Sequence, residues 1–261
     1  MSAKPVAVVV LPAYNEEGLE EFLAEIEEHL VPATSDVSFV VVDDCSTRPL
    51  TLTPPVTTLP LGSKVFVRAN QHNLGHGPTA VAAYHQGLAL DPDVVIHVDG
   101  DGQFLGEDFP RILTALDGHD GVLGARAGRR EPWFRRVMSL GARVTVGAGL
   151  VGSDVNTPLR AYRAAPLHRL LSLLPPQPVV PHLHFAMLHA RLNLDVAEIP
   201  VAHRARRGDT ETGTTWQGGR MVRVMPSRRL VKLAWAARCE LRAQTRSNLV
   251  ALGQPSAVNA G

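Results

Sequence analysis

Two aspartates one residue apart, Asp99 and Asp101, are the part of this sequence best suited to chemistry. They lie in the stretch Asp99-Gly-Asp101-Gly-Gln103, directly after the β-branched run 94–98, which predicts a buried strand. Carboxylate and amide oxygens suit Mg²⁺ or Mn²⁺, which take few protein ligands and add phosphate oxygens from a substrate. An acidic turn is the alternative, because Asp and Gly are common turn residues.

Other polar clusters also follow predicted strands. Apolar runs at 6–11, 39–42 and 64–68 predict strands, and each is followed by polar residues. The clusters are Tyr14-Asn15-Glu16, Asp43-Asp44 and the loop 70–77. Ligands of an open α/β sheet bind beyond the carboxyl ends of its strands, so we expect all of these clusters to meet at one edge. Each cluster taken alone also suits a solvated turn or a helix cap.

The elements between these strands predict helices. Apolar residues recur at helical spacing in 18–30, and Pro78 suits the first turn of a helix over 78–90. The stretch 49–62 holds four prolines and predicts an extended crossover instead. The remaining predicted helices are 109–116, 135–150, 167–174 and 183–192, and the remaining strands are 122–124 and Val196–Val201. This alternation predicts an α/β fold with a Rossmann-like, doubly wound, mostly parallel sheet.

Composition limits the class of protein. The 261 residues, 45% hydrophobic and 20% charged, suit an ordinary globular α/β protein, and a net charge of +1 argues against a nucleic-acid surface along the whole chain. Cys45 and Cys239 are too few for a disulfide framework, which favours the reducing cytoplasm. The N-terminus lacks a signal-peptide pattern, and no apolar run approaches the ~20 residues of a membrane span. Any membrane contact is therefore expected to be peripheral.

The order of the motifs resembles that of family 2 glycosyltransferases, which have the GT-A fold. The branch that it resembles is the dolichyl- or polyprenyl-phosphate sugar synthases, including mannose synthases, over roughly residues 5–220. The motifs that carry the resemblance are Pro12-x-Tyr14-Asn15-Glu16, Asp43-Asp44-Cys45-Ser46, Asn73-Leu74-Gly75-x-Gly77, Asp99-x-Asp101-x-Gln103, Gly124-Ala125-Arg126, Asp154 with Leu159-Arg160-x-Tyr162-Arg163, and Ala197-Glu198-Ile199-Pro200-Val201.

The resemblance implies a role for each matching position. The residues expected to hold the nucleotide sugar are Pro12, Tyr14, Glu16, Asp43, Asp44, Gly75, Asp99 and Gln103. The expected metal ligands are Asp99, Asp101 and Gln103. Asp101, Arg126 and Asp154 are the expected catalytic residues. The acceptor phosphate is expected to meet Arg160, Arg204, Arg206 and Arg207.

The function implied is an inverting, Mg²⁺- or Mn²⁺-dependent transfer of a hexose of the mannose or glucose type. The donor would be a nucleotide diphosphate sugar such as GDP-mannose or UDP-glucose, and the acceptor a polyprenyl or dolichyl phosphate at the cytoplasmic face of a membrane. A soluble hydroxyl acceptor is the first alternative, with Asp154 as the candidate general base. A non-catalytic sugar-nucleotide-binding protein is the second, and a nucleotidyltransferase fits the Arg160-x-Tyr162-Arg163 region less well.

The sequence departs from the branch in two places. The branch often carries a carboxylate near His182 and His184, where this chain has none. Asp209 and Thr210 stand where relatives commonly have Ser and Lys, which favours an acceptor other than an ordinary polyprenyl phosphate.

The expected organisation is a GT-A domain over 1–219, followed by a basic segment and a disordered tail. Residues 1–126 would form the nucleotide-sugar half and 127–219 the acceptor half, with the tail at 253–261. The segment 220–252 carries eight Lys and Arg residues between 220 and 246 but one acid, Glu240. This pattern predicts an amphipathic helix, either on an anionic membrane surface or packed on its own domain.

Overall fold

The computed structural model describes residues 3–48, 50, 52, 56–126, 154, 156–206, 235 and 239–240. Within these residues, one sheet of eight strands has helices on both faces. The strands are β1 (Val6–Ala13), β2 (Asp36–Asp43), β3 (Val56–Thr58), β4 (Lys64–Ala69), β5 (Val94–His97), β6 (Gly121–Arg126), β7 (Arg160–Arg163) and β8 (Val196–Val201). The helices are α1 (Leu19–Leu30), α2 (His76–Leu88), α3 (Asp108–Ala115), α4 (Ala164–Ser172) and α5 (Pro181–Arg191).

The strand order is β3-β4-β2-β1-β5-β7-β6-β8. Parallel pairs join β4 to β2, β2 to β1, β1 to β5 and β6 to β8. Strand β7 runs antiparallel between β5 and β6, and β3 is an antiparallel edge strand. The prediction of a mostly parallel α/β sheet is confirmed, and the carboxyl ends of β1, β2, β4 and β5 share one edge.

Alternating side chains of the central strands build a core on each face of the sheet. Val9 and Leu11 of β1 pack on one face with α1 and α3, whereas Val8 and Val10 pack on the other with α2, α4 and α5. This alternation follows from the two-residue period of a strand. Because strands buried on both faces are apolar throughout, they read in the sequence as continuous hydrophobic runs.

The predicted helices and strands that fall within the described residues are present, with shifts of a few residues at their ends. Helix α2 begins at His76, so Pro78 is its third residue rather than its first. The crossover 49–62 contains the short strand β3, and the sequence analysis did not predict β7. The predicted helix 135–150 and the tail 253–261 lie outside the described residues, as does the segment 220–252 apart from three residues. None of the helices in the described part of the chain has the length and apolarity to cross a membrane.

Candidate functional site

A cavity of about 320 Å³ lies at the edge of the sheet where β1, β2, β4 and β5 end. Its lining comes from every polar cluster singled out in the sequence, so the expected convergence is present in the structure. The lining residues are Pro12, Ala13, Tyr14, Glu16, Asp44, Asn73, Gly75, His76, Thr79, Asp99, Asp101 and Arg206. Such a position suits a ligand in an open α/β sheet.

Asp44 fixes the loop between β4 and α2. The residue is 4% exposed, and its Oδ1 accepts hydrogen bonds from Asn70 Nδ2 at 2.9 Å and from the backbone N–H of Leu74 at 2.8 Å. Its Oδ2 accepts the backbone N–H of Gly75 at 2.8 Å. Both carboxylate oxygens are therefore engaged within the protein. Asp44 therefore has a structural role in the wall of the cavity, and its contact with a nucleoside stays a prediction.

Asn15 joins the loops that follow β1 and β2, a role that the sequence analysis did not assign. Its side-chain oxygen accepts the backbone N–H groups of Thr47 at 2.8 Å and Arg48 at 3.2 Å. Its own backbone has φ of 52°, a left-handed conformation that Asn tolerates better than most residues. The neighbouring Asp43 bonds to Ser46 and does not line the cavity.

Glu16, Asp99 and Asp101 form an acidic group at the carboxyl ends of β1 and β5. Burial, together with the negative charge of Asp99, raises the pKa of Asp101 to about 7. Burial also raises the pKa of Glu16, although the positive charge of Arg206 opposes that rise. Carboxylates in this situation are stabilised in their charged form by a nearby cation.

The acidic group fits a divalent cation that also binds a substrate. Asp99 Oδ1 is buried and accepts no hydrogen bond from the described residues, and His76 Nε2 lies 3.7 Å from it. No three His, Cys, Asp or Glu side chains in the described part of the chain lie close enough together to hold a metal by themselves. Mg²⁺ is usually held by one or two carboxylates plus phosphate oxygens, and Asp99 with Asp101 suits that arrangement. The backbone N–H of Gln103 bonds to Asp101 Oδ1 at 3.1 Å, and the amide of Gln103 as a ligand stays a prediction.

The loop after β8 brings two arginines to the acidic group. Arg206 Nη2 lies 2.6 Å from Glu16 Oε2, and both side chains are largely buried. Arg204 donates to the carbonyl oxygen of Gly102 at 2.7 Å and to Glu25 Oε2 at 2.7 Å. These bonds hold the loop after β8 against the loop that carries Asp101. Arg206 lines the cavity, whereas Arg207 lies outside the described residues.

Arg126 and Asp154 form a two-bonded ion pair. Arg126 Nε is 2.7 Å from Asp154 Oδ2, and Nη2 is 2.9 Å from Oδ1. Such a fork orients the guanidinium and leaves other N–H groups available for a phosphate. The pair does not line the cavity, so its part in acceptor binding or catalysis stays a prediction.

Arg160 is placed differently from the other predicted arginines. It is 0% exposed on β7, and its Nε donates to the carbonyl oxygen of Thr157 at 3.0 Å. Burial lowers the pKa of His182 well below its usual value, and the positive charge of Arg160 adds to the effect. The burial argues against direct contact between Arg160 and an acceptor phosphate in this conformation, and the role of Arg160 stays a prediction.

His76 and Thr79 line the cavity although the sequence analysis gave them no role. Both belong to the first turn of α2, whose N-cap residue Gly75 has φ of 87°. The unpaired N–H groups of a helix N-terminus attract phosphate, and a side chain there reaches the same ligand. The pattern Gly75-x-Gly77 held part of the signal, because a glycine with positive φ just before a helix marks an N-terminus at which an anion can bind.

Comparison with known proteins agrees with this geometry. Residues 8–176 match the family model described as glycosyl transferase family 2. The chain belongs to this family. The resemblance drawn from the sequence is thereby confirmed. Two types of curated relative carry names that match the polyprenyl-phosphate branch of the family.

The first relative is the undecaprenyl-phosphate 4-deoxy-4-formamido-L-arabinose transferase of Edwardsiella ictaluri, 30% identical over 214 residues. The alignment covers 78% of this chain and 62% of that relative, so the chain spans less than two thirds of its length. The polyprenol monophosphomannose synthase of Mycolicibacterium smegmatis is 27% identical over 227 residues, covering 83% of this chain and 82% of the relative.

Among solved structures, glucosyl-3-phosphoglycerate synthase from Mycobacterium tuberculosis matches with a TM-score of 0.54 and 18% identity. The match covers 97% of this chain and 81% of that protein, which was crystallised with Mn²⁺, UDP-glucose and phosphoglyceric acid. At this identity the likeness concerns the fold, and it confirms the expected GT-A architecture.

Proposed function

We propose that this protein is a glycosyltransferase that moves a sugar from a nucleotide diphosphate donor to a polyprenyl phosphate, with Mg²⁺ or Mn²⁺ bound at Asp99 and Asp101. The observation that carries the proposal is the acidic group in the cavity, in which Asp99 Oδ1 is buried and accepts no hydrogen bond from the described residues. The names of the two relatives, both acting on polyprenyl phosphates, support the acceptor.

The proposed reaction is a displacement at the anomeric carbon of the donor sugar. A phosphate oxygen of the acceptor forms the new bond to that carbon, and the bond to the donor diphosphate breaks with inversion. The electron pair of the broken bond leaves with the nucleoside diphosphate. The bound cation would supply charge stabilisation as a Lewis acid. A phosphate acceptor is already anionic near pH 7, so the chain needs no strong general base.

Residues around the cavity would bind and orient the reactants. Tyr14 and Asp44, which line the cavity, would contact the nucleoside, and the N-terminus of α2 with His76 would meet the diphosphate. Arg206, which lines the cavity beside Glu16, would contribute positive charge to the phosphates. Arginine forks bind phosphate oxygens in pairs and do not lose their charge.

Peripheral attachment to a membrane is part of the proposal, because a polyprenyl chain is embedded in lipid. The basic composition of 220–246 suits an anionic surface. Trp235 is helical and 70% exposed, which suits an aromatic ring at the headgroup level. We propose that this segment meets the membrane from the cytoplasmic side.

A soluble hydroxyl acceptor is the second candidate. Asp154 supports it, because an alcohol acceptor needs a base and this carboxylate is partly exposed beside Arg126. The bonds that Arg204 and Arg206 make to Glu25 and Glu16 also leave them less available for a phosphate.

The test is a transfer assay on the full chain with Mn²⁺ and a panel of UDP- and GDP-linked sugars. Undecaprenyl phosphate in detergent micelles is compared with water-soluble alcohols and phosphorylated acids. We expect labelled sugar in the lipid extract, and none with excess chelator. Label that appears only in soluble products would favour the second candidate. Nucleotide binding without turnover on any acceptor would indicate a non-catalytic binding protein.

A further inference from the structure

The carboxylate of Glu240 reaches back from the basic C-terminal segment to the main domain. Glu240 Oε1 lies 2.6 Å from His184 Nε2, and the backbone N–H of Val179 donates to Oε2 at 2.9 Å. His184 is fully buried on α5, and the Glu240 side chain is 17% exposed. Burial alone would raise the pKa of Glu240, but the bonds from His184, Val179 and Val180 outweigh it and lower the pKa.

This contact is an acidic cap on the N-terminus of α5. The carboxylate accepts the backbone N–H groups of Val179 and of Val180, which lead into the helix, and its negative charge complements the helix dipole. Val180 is the N-cap residue of α5, and its own side chain makes no capping bond. The sequence around His184 contains no carboxylate, and Glu240, more than 50 residues further along the chain, supplies one there.

The backbone just before α5, which Glu240 contacts, packs directly against the first turn of α2. A Cβ atom at Gly77 would lie 2.0 Å from the carbonyl oxygen of Pro178 and 2.8 Å from that of Val179. The backbone 178–179 thus touches the first turn of α2. That turn carries His76, which lines the cavity and has its Nε2 3.7 Å from Asp99 Oδ1.

The residue that makes this contact is exceptional in its segment. Glu240 is the one acid between residues 220 and 246, which contain eight basic residues, and it bonds to His184 of the main domain.

We propose that Glu240 is a positioning residue that anchors the basic C-terminal segment to the N-terminus of α5 and, through the contact at Gly77, supports the α2 wall of the nucleotide pocket. The second half of this statement rests on the proposed function. The first half concerns folding contacts alone, so the two can be tested apart.

The first experiment measures amide hydrogen exchange of the full chain and of Glu240→Gln, a variant that keeps size and loses charge. We expect faster exchange in peptides covering 176–186 and 74–82, by about tenfold where a charge-assisted bond is lost. Glu28→Gln, an exposed glutamate on α1, is the matched control and should leave both peptides unchanged. Unchanged exchange over 176–186 in Glu240→Gln would overturn the anchor.

The second experiment measures binding of UDP and of GDP, each with Mn²⁺, by calorimetry. In Glu240→Gln we expect several-fold weaker binding of whichever nucleotide the parent binds, with a raised donor KM, a nearly constant kcat and partial recovery in Glu240→Asp. Faster exchange confined to 176–186, with unchanged nucleotide affinity, would show that Glu240 stabilises only the N-terminus of α5. That result would overturn the proposed support of the nucleotide pocket. If the parent binds neither nucleotide, the proposed function fails, while the exchange data still decide whether Glu240 is an anchor.

Discussion

The acidic group (Glu16, Asp99 and Asp101) and the three arginines Arg126, Arg204 and Arg206 are prepared for ligands in different ways. Among the described residues, Asp99 Oδ1 is buried without a hydrogen bond, and Asp101 has a pKa raised to about 7, so a bound cation would stabilise both carboxylates. Arg126, Arg204 and Arg206 are instead already bonded to carboxylates of the chain. A cation would add to the acidic group without displacing any contact among the described residues, whereas the three arginines would have to share or exchange a carboxylate partner to bind an anion.

The largest effect is expected on the acidic side. Asp101→Asn removes a proposed charged ligand of the cation, and we expect transfer to fall at least about 100-fold, as is typical when a group that stabilises developing charge is lost. The fold should persist, because the site lies at the sheet edge. Steady-state rates in Mn²⁺, together with circular dichroism, provide the measurement.

Asp36→Asn is the control for this variant, because Asp36 is exposed at the opposite end of β2. Its rate should equal that of the parent. Full activity of Asp101→Asn would refute the metal assignment, and with it the proposed difference between the acidic group and the arginines.

A smaller loss is expected on the arginine side. Arg206→Gln removes a charge-assisted bond worth roughly 1.5–3 kcal/mol, so we expect transfer to fall by about 10- to 100-fold. Glu16→Gln combined with Arg206→Gln separates the two roles of this arginine. If Arg206 binds substrate phosphate, the double variant stays as slow as Arg206→Gln.

Recovery of the rate in the double variant would show that Arg206 serves only to neutralise Glu16. The difference between the acidic group and the arginines would then be larger, because Arg206 would bind a carboxylate of the chain and no substrate. Arg68→Ala, at an exposed position on β4, controls for a general loss of positive charge.

Asp44 tests whether a carboxylate in the pocket can be structural. Because its two oxygens hold the backbone of Leu74 and Gly75, Asp44→Ala should lower the free energy of unfolding by about 1–3 kcal/mol. It should also raise the donor KM more than it lowers kcat, since nucleoside contacts are similar in ground and transition states. Urea denaturation and donor titration measure the two effects. Unchanged stability would contradict the loop-fixing role, and unchanged affinity the pocket role.

On transfer at neutral pH the smallest effect is expected at His189, a buried group away from the acidic group. Burial lowers the pKa of His189 to about 3, and its Nε2 lies 3.0 Å from the Tyr162 hydroxyl. The unfolded chain binds a proton near pH 6.5, so stability should fall as the pH drops from about 6.5 toward 3. His189→Gln should make that decline shallower, as followed by denaturation at pH 7, 5 and 4.

His168→Gln, at an exposed position on α4, should decline with pH as the parent does. An equally steep decline in His189→Gln would place the acid sensitivity of the fold in other groups, such as the buried His97 and His182.

The parallel part of the sheet could be predicted from the sequence because its strands are buried on both faces. The strand 196–201 was predicted with the same ends as β8, and β1 and β2 proved longer than their apolar runs. Strand β7 could not be predicted in this way. It has four residues with arginine at each end, so it carries neither an apolar run nor an alternating pattern.

The candidate site was predicted only as far as side-chain type and strand ends allow. Asp99, Asp101 and Glu16 were expected together because each follows a parallel strand, and they do line one cavity. The partners of the arginines are long-range contacts, such as the 2.6 Å bond between Arg206 and Glu16, and no local pattern encodes them. The burial of Arg160 likewise depends on β7 lying inside the sheet.

The position of β7 also has a consequence for the synthesis of this protein. Strand β5 ends at residue 97, but its neighbour on the far side begins at residue 160. At about 5–20 residues per second, a ribosome leaves the β5 edge without that neighbour for several seconds. During this interval an apolar edge is open to pairing with another nascent chain. A chain truncated before residue 160 should therefore be recovered mainly in aggregates, even though it contains every carboxylate of the acidic group.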